Sequence, residues 1–375
     1  MILKAIFWGS LGALAWTHVA YPAVAAAASR LRPRPVRKGG DLPSVSVIVA
    51  AHDEEDVIAR RVENLLALDY PPEALEIVVA SDDSSDRTDE IVGEVAAREP
   101  RVRLLRCPRG GKVAAQDRAV REAETEVVAF SDANALWAPD ALRRLVRCFA
   151  DPDVGYVCGR LRLEEPDGTN REGSYWRYEV WLREQESALG SITGGNGAIY
   201  ALRRSDYLEV DPRFGHDLSL PYALTQRGRR AVYEPEAEAS EQPTPEQEDE
   251  YRRKVRMFEH CWAIVLEGRF LAGGGPLYLV QLVSHRLLRY GSGVLHVLLL
   301  GTSLALVGRG RAYELALAAQ LALLGLAAAG RLRVPLPGAA LAYYYFLVTS
   351  ATLVSLVRYL RSGVPAVWEK APGTR

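Results

Sequence analysis

The stretch VSVIVAAHDEEDVIARRVENLLALDYPPEALEIVVASDD, residues 45–83, decides the fold class. Two short apolar runs, residues 45–50 and 76–80, enclose a segment of helical periodicity over residues 56–68. Apolar runs rich in Val and Ile that alternate with helical segments indicate parallel strands joined by crossover helices. The stretch therefore predicts a βαβ unit with a cluster of acidic residues after each strand.

The same alternation continues to about residue 150. Further strands are predicted over 102–105 and 127–130, and further helices over 88–98, 112–123 and 139–149. Beyond them lie an apolar run at 154–163, an aromatic-rich helix at 174–187, a glycine turn at 194–197 and a helix at 218–227. The predicted fold class is α/β, with a Rossmann-like, mostly parallel sheet that carries helices on both faces.

Composition excludes several classes of protein. Of the 375 residues, 49% are apolar and 25% are charged, which is typical of a folded chain. The 46 basic and 47 acidic residues nearly cancel, so no overall positive field favours nucleic acid as a partner. The four cysteines stand far apart without a C-x-x-C pair, which indicates neither a zinc site nor a disulfide framework.

The first 38 residues combine an apolar run with a basic cluster. As a helix, residues 5–29 are long enough to cross a hydrocarbon layer of about 30 Å. A cleaved signal peptide is the alternative, because the alanines at 25–28 offer a small-residue cleavage site. The residues Arg30, Arg32, Arg34, Arg37 and Lys38 favour an uncleaved anchor whose following domain faces the cytoplasm.

The C-terminal third has the composition of a membrane region. From residue 268 onward the only acids are Glu314 and Glu369, and apolar runs lie at about 291–307, 312–330 and 338–357. Three crossings would place the C-terminus outside, whereas Arg358 and Arg361 favour the inside. We therefore expect one of the three runs to be re-entrant or interfacial.

Four regions are expected in a multi-pass protein of the cell membrane. They are an anchor over 1–38, a cytosolic sheet domain over 39–233, a connecting region over 234–290 and a transmembrane region with a tail over 291–375. Within the connecting region the sequence predicts an acidic solvated linker over 234–250, an amphipathic helix over 251–266 and a helix on the bilayer surface over 277–290.

Polar clusters follow all four predicted parallel strands. They are His52-Asp53-Glu54-Glu55, Asp82-Asp83-Ser84-Ser85-Asp86, Arg109-Gly110-Gly111-Lys112 and Asp132-Ala133-Asn134. Taken singly, the aspartates are explained equally well as helix caps, and the lysine as a surface charge. The carboxyl ends of parallel strands form one crevice, however, so the joint placement predicts a nucleotide site.

The residue types suit that chemistry. Carboxylates accept hydrogen bonds from a base and from ribose hydroxyls, and a lysine reached through a glycine turn approaches phosphate as a compact charge. Asp132 offers an oxygen ligand to a divalent cation, which neutralises charge on a departing diphosphate. Because the sequence lacks both G-x-x-x-x-G-K-[ST] and a G-x-G-x-x-G after the first strand, neither an ATPase nor a dinucleotide enzyme fits.

These segments together resemble the membrane-anchored branch of glycosyltransferase family 2, which has the GT-A fold. The resemblance begins in the opening stretch and continues through GGKVAAQD, VVAFSDANALWAPDAL, VGYVCGRL, TGGNGAIYALRR, HDL and VSHRLLRY. It covers nearly the whole chain, and the motifs occur in order at family-like spacing.

The resemblance implies roles for individual residues. Asp217 is implied as the general base of an inverting transfer, and Asp132 with Asn134 as the site for Mg²⁺ or Mn²⁺. The nucleotide-sugar site is expected to include Ala51, Asp53, Glu54, Asp82, Asp86, Lys112, Asp132 and Gly195. The acceptor side is expected to include Gly194, Asn196, His216, Arg253 and Arg256.

Three departures from the family pattern stand in the sequence. The D-x-D metal motif reads Asp132-Ala133-Asn134, which replaces one carboxylate by a neutral amide. The usual E-D before the base reads His216-Asp217, so a titratable ring replaces an acid. The Q-x-x-R-W signature of processive members keeps only Arg256, which argues against the synthesis of long polymers.

The implied activity is transfer of a sugar from a nucleoside-diphosphate sugar, expected to be a UDP-sugar, to a lipid or glycan acceptor at the bilayer. Such transfer serves the synthesis of cell-envelope polysaccharide or glycolipid. Two alternatives stay open: a polyprenyl-phosphate sugar synthase, and a non-catalytic glycosyltransferase-like scaffold of an envelope complex. Consumption of donor by the purified protein separates the scaffold from both enzymes.

Overall fold

The computed structural model describes residues 1–164, 173–242 and 247–365. The strands are β1 Val45–Ala51, β2 Leu75–Asp82, β3 Val102–Cys107, β4 Val127–Ser131, β5 Leu136–Trp137, β6 Val154–Leu163, β7 Tyr200–Arg203 and β8 Arg230–Glu241. The helices of the sheet domain are α3 Ile58–Leu66, α4 Thr88–Ala96, α5 Lys112–Glu122, α6 Ala141–Val146, α7 Ser174–Leu189 and α8 His216–Gln226, preceded by α1 Ile2–Ala15 and α2 Tyr21–Leu31. After the sheet come α9 Gln247–Glu267, α10 Gly275–Gln281, α11 Leu288–Tyr290, α12 Ser292–Ala305, α13 Arg311–Arg331 and α14 Ala339–Ser362.

The described strands form one mixed sheet in the order β3-β2-β1-β4-β7-β6-β8-β5. The half made of β3, β2, β1 and β4 is parallel, as the alternation of strands and helices predicted. Strand β7 is antiparallel to both β4 and β6, so the sheet is less parallel than expected in its second half. Alternate residues of β1 point to opposite faces: Val47 and Val49 join one buried cluster, and Ile48 joins the other.

The acidic segment after residue 233 differs from the predicted linker. Residues up to Glu241 belong to β8, which pairs in parallel with β6. The acids are held there because basic residues face them: the buried Glu234 pairs with Lys38 at 2.6 Å and with Arg147 at 3.2 Å, and Glu238 pairs with Arg162 at 3.1 Å. The sheet therefore continues through Glu241, while residues 243–246 of the predicted linker lie outside the described residues.

The expected surface helix over 277–290 also differs. It consists of α10, a π-helical turn over Leu282–Leu287, and α11. Leu277 and Val280 are exposed, whereas His285 and Arg289 are buried against the rest of the protein. The polar side chains point inward because two carboxylates meet them: Glu186 lies 2.8 Å from His285, and Glu179 forms an ion pair with Arg289.

Three of the described helices are long and apolar enough to cross a membrane. They are the continuous helix Ile2–Leu31, which contains a π-helical turn over Trp16–Ala20, and the helices Arg311–Arg331 and Ala339–Ser362. Helix α12 has 14 residues, or about 21 Å, and meets the segment Gly275–Tyr290 at 64°. Such a bend is typical of a broken span or of a re-entrant loop, and the number of crossings stays a prediction. The predicted tail after residue 365 lies outside the described residues.

Candidate active site

Asp82 ends β2 and organises the loop that follows β3. It is 2% exposed, and its carboxylate accepts hydrogen bonds from the backbone of Gly110 at 2.7 Å and of Gly111 at 3.0 Å. Arg109 donates to the same carboxylate at 2.6 Å. Asp82, which we expected in the nucleotide-sugar site, thus holds the Arg109–Gly111 loop, and that loop leads into Lys112 at the start of α5.

The loops after β1 and β2 brace each other. Ala51 is buried at the end of β1, where it pairs in register with Ser81. Asp53 has a φ of +53°, and its carboxylate accepts the Ser85 N–H at 2.7 Å. This bond and others to the Ser85–Asp86 turn outweigh the effect of burial and lower the pKa of Asp53.

Asp86 and Glu54 complete that brace. Asp86 accepts hydrogen bonds from the Thr88 N–H at 2.9 Å and the Glu55 N–H at 3.0 Å, so it joins the loop after β1 to the start of α4. The Glu54 N–H donates to the Thr88 hydroxyl at 2.7 Å, and its side chain is 5% exposed. Asp86 therefore connects two loops and does not serve as the N-cap of α4, which is Arg87, and Glu54 is buried beside Thr88.

Lys112 and Asp132 form an ion pair in the middle of the crevice. Burial by itself lowers the pKa of Lys112, but Asp132 and the more distant Asp217 outweigh this and raise it above its ordinary value. The side chains of Lys112 and Asp132 remain 26% and 31% exposed, so the pair is open to a ligand. Gly197 lies against it, because a Cβ at this position would stand 3.0 Å from Nζ and 3.1 Å from Asp132 Oδ2.

The residues that support the Asp132 loop were missed by sequence reasoning. The Asn64 side chain accepts a hydrogen bond from the Trp137 N–H at 2.9 Å and donates one to the Trp137 carbonyl at 3.0 Å. The Trp137 indole donates to the Ala198 carbonyl at 2.9 Å. Arg61 is completely buried, stacks on Trp137 at 5.1 Å and bonds Asn64. Burial lowers its pKa to about 9, against the opposing effect of Asp132. Only the spacing Arg61-x-x-Asn64, one turn of a helix, signals this brace in the sequence.

Asp132 and Asn134 offer side-chain oxygens, which are the ligand type that a hard divalent cation prefers. Asp132 and Asn134 both have partly exposed side chains, and Asn134 makes no side-chain hydrogen bond to a described residue. Within the described ranges, no group of three or more His, Cys, Asp or Glu could hold a metal. The residues therefore suit Mg²⁺ or Mn²⁺, which keep several ligand positions for water and substrate phosphates, and not a closed structural site.

The Gly194–Gly197 loop connects this pair to the other side of the crevice. Gly195 N–H donates to the Asp217 carbonyl at 2.5 Å, and a Cβ at residue 195 would overlap the Tyr156 hydroxyl. The Asn196 amide bonds the Gly159 carbonyl at 2.8 Å and the Ile199 N–H at 3.0 Å. Asn196 is thus a buried brace of the loop, and its predicted place on the acceptor side does not agree with these contacts.

Asp217 lies at the start of α8, one backbone hydrogen bond away from that loop. Its side chain is partly exposed and forms no hydrogen bond or ion pair with any residue that the structure describes. A carboxylate without a partner at the edge of a crevice is free to accept a proton. The helix has no side-chain cap hydrogen bond, and the role of Asp217 as general base stays a prediction.

His216 is buried among aromatic side chains. It is 3% exposed, and its ring nitrogens lie 3.1 Å from the Tyr200 hydroxyl and 3.3 Å from the Tyr207 hydroxyl. Burial, assisted by Lys112, lowers its pKa to about 3, so the ring is neutral at physiological pH. The predicted acceptor-side role does not agree with this core position, because a neutral imidazole suits the aromatic cluster around Phe130.

The two predicted arginines of α9 differ in their surroundings. Arg253 is exposed and pairs with Glu250 at 2.9 Å, which leaves it on the outer face of the helix. Arg256 is partly buried on the turn that precedes His260, whose own imidazole contacts the Arg213 carbonyl at 2.6 Å. The acceptor-side positions of Arg253 and Arg256 stay predictions.

Comparisons with known proteins agree with this arrangement. Residues 46–210 match the family model described as glycosyl transferase family 2. The chain contains a family 2 glycosyltransferase domain. This domain includes every predicted donor-side residue, while Asp217 and the membrane-like helices lie beyond the matched range.

Curated relatives of the domain act on glycolipids and polysaccharides, as their names state. The chain is 33% identical over 204 residues to a beta-monoglucosyldiacylglycerol synthase of Trichormus variabilis, a match that covers 52% of this chain and 44% of the relative. It is 24% identical over 203 residues to a poly-beta-1,6-N-acetyl-D-glucosamine synthase of Staphylococcus aureus, with 52% and 49% covered. The matches thus span about half the length of these relatives.

A solved structure shows the same fold over nearly the whole chain. It is a mannosyltransferase of Pyrobaculum calidifontis in complex with GDP-Man and Mn²⁺, with a TM-score of 0.71 and 24% sequence identity. The match covers 96% of this chain and 98% of that one. The predicted GT-A fold with apolar helices at both ends is therefore confirmed.

Proposed function

We propose that the protein is a membrane-bound inverting glycosyltransferase that moves a sugar from a nucleoside-diphosphate sugar to a hydroxyl of a lipid or glycan acceptor. One observation carries the proposal: a single glycine loop lies against the Lys112–Asp132 pair at Gly197 and bonds the backbone of Asp217 at Gly195. The Asp217 carboxylate has no hydrogen-bond or ion-pair partner in the described part of the chain. A cation near the leaving group and a base near the nucleophile are the two requirements of an inverting displacement.

The donor side is assigned to the Lys112–Asp132 pair. Lys112 stays protonated and faces the diphosphate, and the absence of a side chain at Gly197 lets the donor approach the pair. A divalent cation held by Asp132, with Asn134 assisting, supplies positive charge to the leaving diphosphate. The amide of Asn134 contributes less than a carboxylate would, so Asp132 is the main protein ligand.

The acceptor side is assigned to Asp217. Its carboxylate takes the proton of the acceptor hydroxyl, while the backbone bond from Gly195 fixes its distance from the loop. Because α9 to α14 follow the sheet and three described helices suit a membrane, the acceptor is a lipid or a glycan at the bilayer. The basic residues 30–38 favour a cytosolic position for the sheet domain. A reporter fused to the C-terminus and read from both sides of the membrane tests the number of spans.

Consumption of nucleotide sugars tests the proposal. Detergent-solubilised protein with membrane lipid is supplied separately with UDP-glucose, UDP-N-acetylglucosamine and GDP-mannose, and release of nucleoside diphosphate is measured. Loss of one donor together with formation of a labelled lipid or glycan supports a transferase. A purified, folded protein that binds none of the donors and consumes none is instead a scaffold.

A further inference from the structure

Two arginines converge on the Gly194–Gly195 end of the loop. Arg183 of α7 is 7% exposed and donates through Nη2 to the Gly195 carbonyl at 3.2 Å. Its Nε and Nη1 are buried without a hydrogen-bond partner in the described ranges. Arg286 packs against Gly194, because a Cβ at residue 194 would stand 2.7 Å from the Nη2 atom of Arg286.

A chain of hydrogen bonds orients the side chain of Arg286. Its Nε donates to the Thr193 hydroxyl at 2.9 Å, and that hydroxyl donates to Glu186 at 2.8 Å. Neither terminal nitrogen of Arg286 bonds a residue that the structure describes. The guanidinium is therefore oriented, while the two nitrogens that recognise oxyanions are left for a ligand.

No carboxylate of the described residues forms an ion pair with this guanidinium. Glu186 is completely buried, and its oxygens are taken by Tyr21 at 2.6 Å, His285 at 2.8 Å and Thr193 at 2.8 Å. The guanidinium of Arg286 favours an anionic ligand, because in the described structure it has two free nitrogens and no direct ion pair. A phosphate matches the planar geometry of the guanidinium.

The position of Arg286 indicates where that phosphate comes from. The donor diphosphate is assigned to the opposite end of the loop, at Gly197. Arg286 instead belongs to the segment whose outer face exposes Leu277 and Val280 and which bends into α12. An apolar face next to a fixed cation suits a lipid with a phosphate in its headgroup.

We propose that Arg286 binds a phosphate of the acceptor lipid, so that the enzyme glycosylates a hydroxyl carried beside a phosphate, as in a phospholipid headgroup. The inference rests on the proposed function. The hydroxyl oxygen forms a bond to the anomeric carbon as the bond from that carbon to the diphosphate breaks. The hydroxyl proton goes to Asp217, the diphosphate leaves with the electron pair, and the lipid phosphate stays unchanged.

Matched acceptors test this inference. Transfer from the active donor is measured with dioleoyl phosphatidylglycerol and with dioleoylglycerol, which share acyl chains and differ in the phosphate. We expect wild type to prefer the phospholipid by at least ~10-fold in kcat/KM. Arg286→Gln is expected to remove that preference and Arg286→Lys to restore part of it, while Arg309→Gln, a change on an exposed loop, keeps wild-type values.

Two results would overturn the inference. Equal use of both acceptors by wild type would show that the phosphate is not recognised. A rise in donor KM in Arg286→Gln, with both acceptors affected alike, would assign Arg286 to the donor diphosphate. Binding of a short-chain phosphatidylglycerol in the absence of donor separates the two proposals. If the protein has no turnover but binds this lipid through Arg286, the proposed function is contradicted and the phosphate site is supported. If the lipid does not bind, the phosphate site is overturned.

Discussion

The carboxylate of Asp132 lies 3.1 Å from the point that a Cβ on residue 197 would occupy, so Gly197 leaves the space in front of Asp132 open. Lys112 Nζ stands 3.0 Å from the same point. A methyl group there would crowd both members of the ion pair and fill the approach of a diphosphate.

Gly197→Ala should therefore raise the donor KM or lower kcat by at least ~10-fold with little change in folding. Gly93→Ala is the matched control, because a Cβ at residue 93 meets nothing within 4 Å and alanine suits a helix. Donor titrations of both variants check this. Normal kinetics of Gly197→Ala would contradict the assignment of the donor to this side of the loop.

The metal assignment makes a prediction about Asp132 and Asn134. Asp132→Ala should abolish transfer, because it removes the anionic oxygen that a hard cation needs. Asn134→Asp should keep activity and lower the Mg²⁺ or Mn²⁺ concentration required for half-maximal rate. Activity that persists in excess chelator would contradict a metal-dependent mechanism.

His216 predicts a pH dependence of stability. Its pKa is about 3 in the folded protein and about 6.5 in an unfolded chain, so the unfolded state binds the extra proton between these values. Stability is expected to fall as the pH drops from 6.5 toward 3, by at most about 1.4 kcal/mol per pH unit from this group. His216→Gln should show a shallower decline in thermal unfolding experiments, and an unchanged slope would mean that the ring titrates normally.

The first helix is predicted to act on the glycine loop as well as to anchor the protein. Tyr21 donates to Glu186, which also holds Thr193 next to Gly194. Tyr21→Phe should cost about 1–3 kcal/mol because it removes a bond to a buried carboxylate, and it should reduce transfer. Tyr313→Phe is the control: its ring packs on Phe7 at 4.7 Å, and its hydroxyl bonds no residue in the described ranges. Equal effects of Tyr21→Phe and Tyr313→Phe on stability and transfer would indicate that Tyr21 contributes only to the structure.

Local patterns predicted the parallel half of the sheet within a few residues. The strands around Val47 and Ile77 carry continuous apolar runs, and the polar clusters lie at the C-terminal ends of these strands. The strand that contains Glu234 was wrongly predicted to be a linker. Its acids are stabilised by Lys38 and by Arg162, and such partners far away in the chain are invisible to local patterns.

The candidate site was predictable in position but less so in contacts. Lys112 and Asp132 form an ion pair, as the order of the loops after the parallel strands implied, whereas only the family resemblance pointed to Asp217. The inward turn of His216 and the approach of Arg286 to Gly194 depend on tertiary packing of segments far apart in sequence. Sequence alone could not assign either residue to the core or to the site.

The most direct test of the proposed function is the rate of sugar transfer by Asp217→Asn, measured beside its donor affinity. Asparagine keeps the shape of the side chain and removes the proton acceptor. The variant should fold and bind the nucleotide sugar with near-normal affinity, yet transfer sugar at least ~100-fold more slowly. Near-normal turnover would contradict the role of Asp217 as the base, and with it the account of the site given above.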